Sequence, residues 1–230
     1  MRNKKPRYLA SILFTLFISI PAPLNAGTPT DVIRRVFEKI QAVLKNPRLQ
    51  PHARSKERRK QLRQAFCPRF DFTENAKRSL GSHWRHRTSK EQHEFVTIFR
   101  DRLESLYLDR VESYRDVKFF YTRETQDKNY AAVDAKVLTK KGGAFTINYR
   151  LHLTNGKWKL YDIVTENTSL VNNYRSRFNR IITNSSYKEL LRRMTEKRAS
   201  DGIAEKIDSE KRKAIQRWMM MILVSEGSKV

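Results

Sequence analysis

Asp162 is the acidic residue whose predicted surroundings best suit acid–base chemistry. The hairpin signal Asn155-Gly156 sets a register that puts Asp162 opposite Tyr149, on the apolar side of a sheet. A carboxylate held among apolar groups can act as a general base. It can equally be a structural carboxylate that accepts hydrogen bonds from a tyrosine hydroxyl or from backbone N–H groups. Because one carboxylate without a partner acid does not make a mechanism, the structural interpretation is favoured.

The histidines and the cysteine offer little further chemistry. His83, His86 and His93 lie close in sequence, but Trp84 and three arginines surround them and oppose a bound cation. Cys67 is the only cysteine in the sequence, so no intrachain disulfide can form, and we expect a small buried side chain there. The sequence also has no G-x-S-x-G motif, phosphate loop or dinucleotide fingerprint. We therefore expect neither an enzyme, nor a metal site, nor a cofactor.

The first 26 residues predict a signal peptide. Four Lys and Arg residues precede an uncharged apolar run over residues 8–20, and cleavage is expected after Ala26. That run is shorter than the roughly 20 residues a membrane-spanning helix needs. We expect an exported protein with one domain over residues 27–202 and a basic helical extension over residues 203–230.

The charge is strongly positive. The chain carries a formal +24, and removal of the signal peptide would leave +20. Such an excess often indicates nucleic acid, but an exported protein meets anionic lipid head groups and acidic proteins instead. We therefore expect no nucleic-acid partner.

Hydrophobic periodicity predicts helices on both sides of a sheet, which is an α+β fold. The predicted helices span residues 31–45, 55–66, 72–80, 89–109, 169–183 and 186–198. Thr88 and Glu91 form a capping box at the start of the longest helix. Between the fourth and fifth helices the period falls to 2, which predicts four strands near residues 117–121, 133–137, 145–153 and 158–164.

The turns set the register of these strands. Around Asn155-Gly156, we expect Leu153 to pair with Trp158, Leu151 with Leu160 and Ile147 with Val164. All three pairs would then lie on one face. Around Gly142-Gly143, a two-residue loop would place Asp134 and Lys136 on that face, so we expect a three-residue loop over residues 141–143.

Two blocks of residues carry a family resemblance. The first contains Phe72, Ala76, Leu80-Gly81, Trp84-Arg85, Thr88, Gln92, Phe95, Phe99, Leu103 and Tyr107. The second contains Tyr149, Leu151, Gly156, Trp158, Tyr161-Asp162, Ser169-Leu170-Val171-Asn172-Asn173-Tyr174-Arg175 and Phe178. In order and spacing, over about residues 32–197, they resemble the MlaC family of periplasmic toluene-tolerance auxiliary proteins. Two departures are Glu166-Asn167, where the family commonly has Glu-Gly, and the tail after Ile203.

The resemblance implies a periplasmic carrier of glycerophospholipid with no cofactor besides this cargo. Such a carrier would move between an outer-membrane lipoprotein complex and an inner-membrane ABC transporter with an MCE-domain subunit, and would maintain outer-membrane lipid asymmetry. The implied fold is a helical layer on a strongly curved four-stranded antiparallel sheet, similar to the nuclear-transport-factor cone, with lipid inside. We expect the lipid-binding residues to be those that the periodicity of each helix and strand turns toward the interior. They are Phe99, Leu103, Leu106, Phe119, Phe145, Ile147, Tyr149, Leu151, Trp158, Leu160, Val164, Leu170, Tyr174 and Phe178.

Two other functions stay open. The first is a small-molecule enzyme on the same cone, similar to ketosteroid isomerases, with Asp162 as its base. The second is a module that binds membranes or polyanions through the positive charge and the apolar segment Trp218–Val224 of the tail.

Overall fold

A computed structural model describes residues 27–111, 115–139 and 143–196 of the chain. The predicted signal peptide and the predicted basic extension lie outside the described residues. Within these ranges, none of the helices combines the length and the apolar character needed to cross a membrane.

The described chain forms six α-helices and five β-strands. The helices are α1 (Pro29–Lys45), α2 (Ser55–Phe66), α3 (Phe72–Leu80), α4 (Ser89–Arg110), α5 (Leu170–Asn184) and α6 (Tyr187–Thr195). Short 3₁₀ turns at Pro47–Leu49, His52–Arg54, Cys67–Arg69 and Gly81–His86 connect the first four helices. The strands are β1 (Lys118–Asp127), β2 (Tyr130–Leu138), β3 (Ala144–Thr154), β4 (Lys157–Thr165) and β5 (Thr168–Ser169). The α+β prediction is confirmed, and α6 ends at Thr195 because the backbone of Glu196 is extended.

Side-chain caps start most of these helices. Thr28, Asp71, Thr88, Ser169 and Ser186 each accept a hydrogen bond from a backbone N–H of the first turn that follows. The predicted capping box of α4 is present in full. Thr88 Oγ1 accepts from the N3 backbone at 3.3 Å, and the N3 carboxylate accepts from Thr88 N at 2.8 Å.

The strands form one open antiparallel sheet in the order β1-β2-β3-β4-β5. The sequence predicts four strands, and β5 is the fifth. It contains two residues, which is too short for alternation to be visible in a sequence. The turn before it uses Glu166 and Asn167 at φ +46° and +63°, so these residues adopt the left-handed conformation although neither is glycine.

The predicted register of the β3–β4 hairpin is correct near its turn. Leu153 pairs with Trp158 and Leu151 with Leu160. A β-bulge follows, because Arg150 pairs with Asp162 and leaves the residue between Leu160 and Asp162 as an extra one on β4.

Beyond the bulge, the predicted register is wrong by one residue. Tyr149 pairs with Ile163 rather than with Asp162, and Ile147 pairs with Thr165 rather than with Val164. Since side chains alternate along a strand, one extra residue moves Asp162 and Val164 to the opposite face of the sheet. The prediction that Asp162 and Val164 lie on the apolar face of the sheet is therefore wrong.

The register between β2 and β3 is also shifted from the predicted one, but the side chains of β2 still lie on the predicted faces. Thr139 N donates to Gly143 O at 2.9 Å, so the ladder closes around residues 140–142 rather than 141–143. Val133, Ala135 and Val137 still face the interior as predicted, and each is at most 1% exposed.

Buried apolar residues form two clusters. The first, called the sheet cluster, joins α1 and α2 to the inner face of the sheet. It consists of Val32, Ile33, Val36, Phe37, Ile40, Leu44, Leu62, Ala65, Phe66, Phe70, Leu108, Val111, Ala131, Val133, Ala135, Val137, Ile147, Tyr149, Leu151, Trp158 and Leu160. The second, called the helix cluster, joins α3, α4, α5 and α6 and consists of Ala76, Leu80, Phe95, Phe99, Phe178, Leu190 and Met194.

Candidate functional site

The predicted lipid-binding residues divide between the two clusters. Ile147, Tyr149, Leu151, Trp158 and Leu160 belong to the sheet cluster, and Phe119 and Phe145 pack against it. Phe99 and Phe178 belong to the helix cluster, and Tyr174 packs against it. Leu103 packs against both clusters. The other three residues, Leu106, Val164 and Leu170, are partly buried.

Aromatic rings make up the centre of the sheet cluster. The ring of Phe37 on α1 lies 4.3 Å from that of Phe119 and 5.6 Å from that of Tyr149, centroid to centroid. Phe66 on α2 stacks on Tyr107 of α4 at 4.1 Å. Three helices thus contribute aromatic side chains to the packing on the inner face of the sheet.

The helix cluster has a denser aromatic centre. Phe99 on α4 meets the ring edges of Tyr174 at 4.9 Å and of Phe178 at 5.3 Å, both on α5. Phe95, one turn earlier on α4, meets Phe178 at 5.6 Å. These contacts fix α5 against the first half of α4.

Helix α4 connects the two clusters. Its residues Phe95 and Phe99 belong to the helix cluster, while Leu108 belongs to the sheet cluster. Leu103 lies between them along the helix and packs against both. Leu103 is therefore the residue of α4 at which the two apolar clusters meet.

A partly buried guanidinium borders the helix cluster. Arg177 follows Tyr174 by three residues on α5, and its Cζ lies 5.9 Å from the centroid of the Tyr174 ring. Burial lowers the pKa of Arg177, and the positive charges of Arg102 and Arg180 lower it further, while Tyr174 opposes them. A guanidinium at this position has the chemistry to form charge-assisted hydrogen bonds with a phosphate.

Sequence reasoning missed Arg177. It is one of 48 Lys and Arg residues, and charge alone does not rank them. Its three-residue spacing from Tyr174, which was expected to face inward, is the signal that could have identified it.

Asp162 lies on the face of the sheet opposite to Tyr149. Its Oδ2 accepts from Ser169 Oγ at 2.7 Å and from Arg150 Nη1 at 3.4 Å. Its Oδ1 accepts from the backbone N–H groups of Val171 at 3.0 Å and of Ile163 at 2.9 Å. The side chain is 2% exposed. Both oxygens thus attach the first turn of α5 to β4, which agrees with the structural interpretation of Asp162. The donors are Ser169, Arg150 and backbone N–H groups rather than a tyrosine hydroxyl.

The histidines and Cys67 are not assembled into a reactive or metal-binding group within the part of the chain that the structure describes. His83 Nε2 lies 2.9 Å from Asn179 Oδ1. No group of three or more His, Cys, Asp and Glu side chains could hold a metal ion within the described ranges. Cys67 is partly buried, and burial together with Glu104 raises the pKa of its thiol to about 12.

Comparison with known proteins identifies the family. The model of the MlaC protein family matches residues 34–196, which is well over half of the chain. Among solved structures, the chain is similar to the phospholipid-binding protein from Ralstonia solanacearum in complex with a phospholipid, with a TM-score of 0.66 and 20% sequence identity. The match covers 76% of this chain and 98% of that chain, and at this identity it establishes the shared fold. No curated protein sequence matches the chain. From the family model, we conclude that this chain belongs to the MlaC family.

Proposed function

We propose that this protein binds a glycerophospholipid between its helices and its sheet, and that it acts as a binding protein and not as an enzyme. The observation that carries the proposal is the fold shared with the Ralstonia protein, which was solved with a phospholipid, in a chain of the MlaC family. The four hydrogen bonds of Asp162 support it, because they occupy the carboxylate that would have been the base of an enzyme.

The acyl chains would lie along α4, where the two clusters meet. An acyl chain of about 16 carbons, at roughly 0.8 kcal/mol per methylene, costs on the order of 12 kcal/mol to expose to water, so a carrier must enclose it. Movement of α4 near Leu103 would join the two clusters into one continuous apolar volume. The predicted lipid-binding residues that belong to the two clusters or pack against them would then form one site. Val164, on the opposite face of the sheet, would lie outside it.

The phosphate of the head group would lie beside Arg177. This guanidinium is partly buried next to Tyr174, whose ring packs on Phe99 and Phe178. A phosphate there would place the charged end of the lipid at the edge of the helix cluster, with the acyl chains directed inward.

In the cell, we propose that the protein carries phospholipid through the periplasm. The predicted signal peptide and the family membership support this location. Its partners would be an outer-membrane lipoprotein complex and an inner-membrane ABC transporter with an MCE-domain subunit, and the transport would maintain outer-membrane lipid asymmetry.

The direct test is organic extraction of the purified protein followed by lipid mass spectrometry. We expect phospholipid to be recovered from the protein fraction and to be absent from an unrelated basic protein purified in parallel. Repeated recovery of protein without lipid, before and after incubation with phospholipid vesicles, would contradict the proposal.

A further inference from the structure

Part of the positive charge is concentrated in one segment of the chain. Residues 39–70 contain ten Lys and Arg residues and one acidic residue, Glu57. These residues therefore carry +9 of the formal charge of +24. The segment includes the whole of α2 and the 3₁₀ turns beside it.

The fold turns these cations outward. Leu62, Ala65 and Phe66 of α2 are buried in the sheet cluster. The exposed residues of the same helix are Lys56, Arg59, Lys60, Arg63 and Gln64. The four cations are spaced i, i+3, i+4 and i+7, so they form a row along one side of the helix, which we call the α2 stripe.

Acidic groups lie beside the α2 stripe, but its cations stay exposed to solvent. Glu104 of α4 pairs with Arg63 at 2.9 Å, and Glu57 accepts from Gln61 at 2.9 Å. The Arg63 side chain stays 58% exposed despite its ion pair. Four more exposed cations flank the helix, at Lys45, Arg48, Arg54 and Arg69.

We propose that the α2 stripe docks this protein on the anionic surface of a lipid bilayer. Long-range attraction between several cations and acidic head groups is sufficient for reversible attachment at low salt. Protein partners usually need buried aromatic or apolar anchors, and the exposed side of α2 carries Lys, Arg and Gln alone. The stripe therefore fits head groups better than it fits an acidic protein. It would bring the carrier to a membrane whether or not cargo is bound.

The test is co-sedimentation of the purified protein with phosphatidylcholine vesicles, with and without phosphatidylglycerol. We expect binding that requires phosphatidylglycerol and that disappears when NaCl rises from about 0.05 M to about 0.5 M. In a triple variant, Lys56→Gln, Arg59→Gln and Lys60→Gln, the partition coefficient should fall on the order of 100-fold, at about fivefold for each cation. Arg63 is kept because it pairs with Glu104.

The matched control removes the same charge from the sheet, through Lys118→Gln, Lys136→Gln and Lys157→Gln. These lysines are exposed. An equal loss of binding in the two variants would assign the effect to net charge and would overturn the proposal. Unchanged binding of the α2 variant, or no vesicle binding by the wild type, would also overturn it. If only soluble polyglutamate bound through the stripe, an acidic protein would replace the membrane as the partner.

Discussion

Asp162 is a structural carboxylate that holds a helix in place on the sheet. Its oxygens hold the first turn of α5, and Ser169 extends this chain of bonds by capping the helix at Asn172 N, 3.0 Å away. The carboxylate therefore determines where α5 begins relative to β4. Its role is to position the helix that carries Tyr174 and Phe178.

We predict that Asp162→Asn lowers the free energy of unfolding by about 1–3 kcal/mol, because bonds from Ser169 Oγ and from backbone donors weaken when the acceptor loses its charge. The lipid content of the folded variant should not change. Urea unfolding and lipid mass spectrometry measure the two quantities. Asp101→Asn is the control, since that residue is 64% exposed and its pair with Arg100 contributes less than about 1 kcal/mol. Normal stability combined with loss of lipid would contradict this assignment.

Arg177 is the residue at which head-group binding can be separated from acyl-chain binding. We predict that Arg177→Gln weakens phospholipid binding about tenfold or more, because a charge-assisted bond to phosphate is lost. Binding of diacylglycerol, which has the acyl chains without the phosphate, should stay within about twofold. Competition between the two lipids for a fluorescent phospholipid measures both.

The control for Arg177 is Arg180→Gln on the same helix, which removes an exposed cation. We expect it to change phospholipid binding less than Arg177→Gln does. Equal weakening of phospholipid and diacylglycerol binding by Arg177→Gln would show that the residue supports the fold and does not contact phosphate.

At the scale of elements, α4 is the helix that contributes buried side chains to both clusters. The start of the helix is fixed by the Thr88 capping box and by the contacts of Phe95 and Phe99 with Phe178 of α5. Farther along, Phe66 stacks on Tyr107, and Leu103 lies between these attachments. A polar group at Leu103 would interrupt the apolar passage between the two clusters that the proposed function requires.

We predict that Leu103→Gln lowers the amount of bound phospholipid about tenfold, because an amide in the passage would have to be desolvated against an acyl chain. Leu153→Gln is the matched control: Leu153 also packs on the sheet cluster and is also partly buried, but it lies next to the β3–β4 turn. Both variants should lose similar stability in urea unfolding. Equal lipid content in the two variants would contradict a passage at Leu103.

Much of the element order was predictable from the sequence, because helices and long strands differ in hydrophobic period and most of the helices begin at a side-chain cap. The bulge was not, since an added residue on β4 leaves the alternation of Trp158 and Leu160 unchanged. Strand β5 was missed because two residues show no period. The division of the predicted lipid-binding residues into two clusters depends on which helix covers which part of the sheet. The alternation of side chains along a strand or helix shows which face is apolar, but not what packs against that face.

At the scale of the whole molecule, partly buried tyrosine hydroxyl and cysteine thiol groups make stability sensitive to high pH. Burial raises the pKa of Tyr121 and of Tyr187 from 10.0 to about 12, and burial with Glu104 raises that of Cys67 from 9.0 to about 12. At pH values between the unfolded-state pKa and the raised folded-state pKa of each group, the folded state binds more protons than the unfolded state does. The stabilisation from the neutral groups is thus complete below about pH 9 and is lost as the pH rises toward 12.

We predict that the urea midpoint of unfolding falls between about pH 8 and about pH 10.5. Tyr121→Phe keeps the ring and removes the titrating hydroxyl, so its midpoint should fall less over this interval. A Tyr121→Phe slope equal to that of the wild type would contradict the contribution of this group. Tyr130→Phe is the control, because Tyr130 is 47% exposed.

The β-bulge on β4 has a consequence for how this protein can change during evolution. The extra residue lets β4 keep apolar side chains on the inner face on both sides of the bulge, while Asp162 points to the other face and attaches α5. Deleting Tyr161 would restore a regular ladder and would turn the carboxylate toward Tyr149, into the space proposed for acyl chains. Insertions and deletions at this point would therefore be under stronger selection than most substitutions nearby. A related protein that keeps the bulge can use the same strand both to pack against the interior and to attach α5.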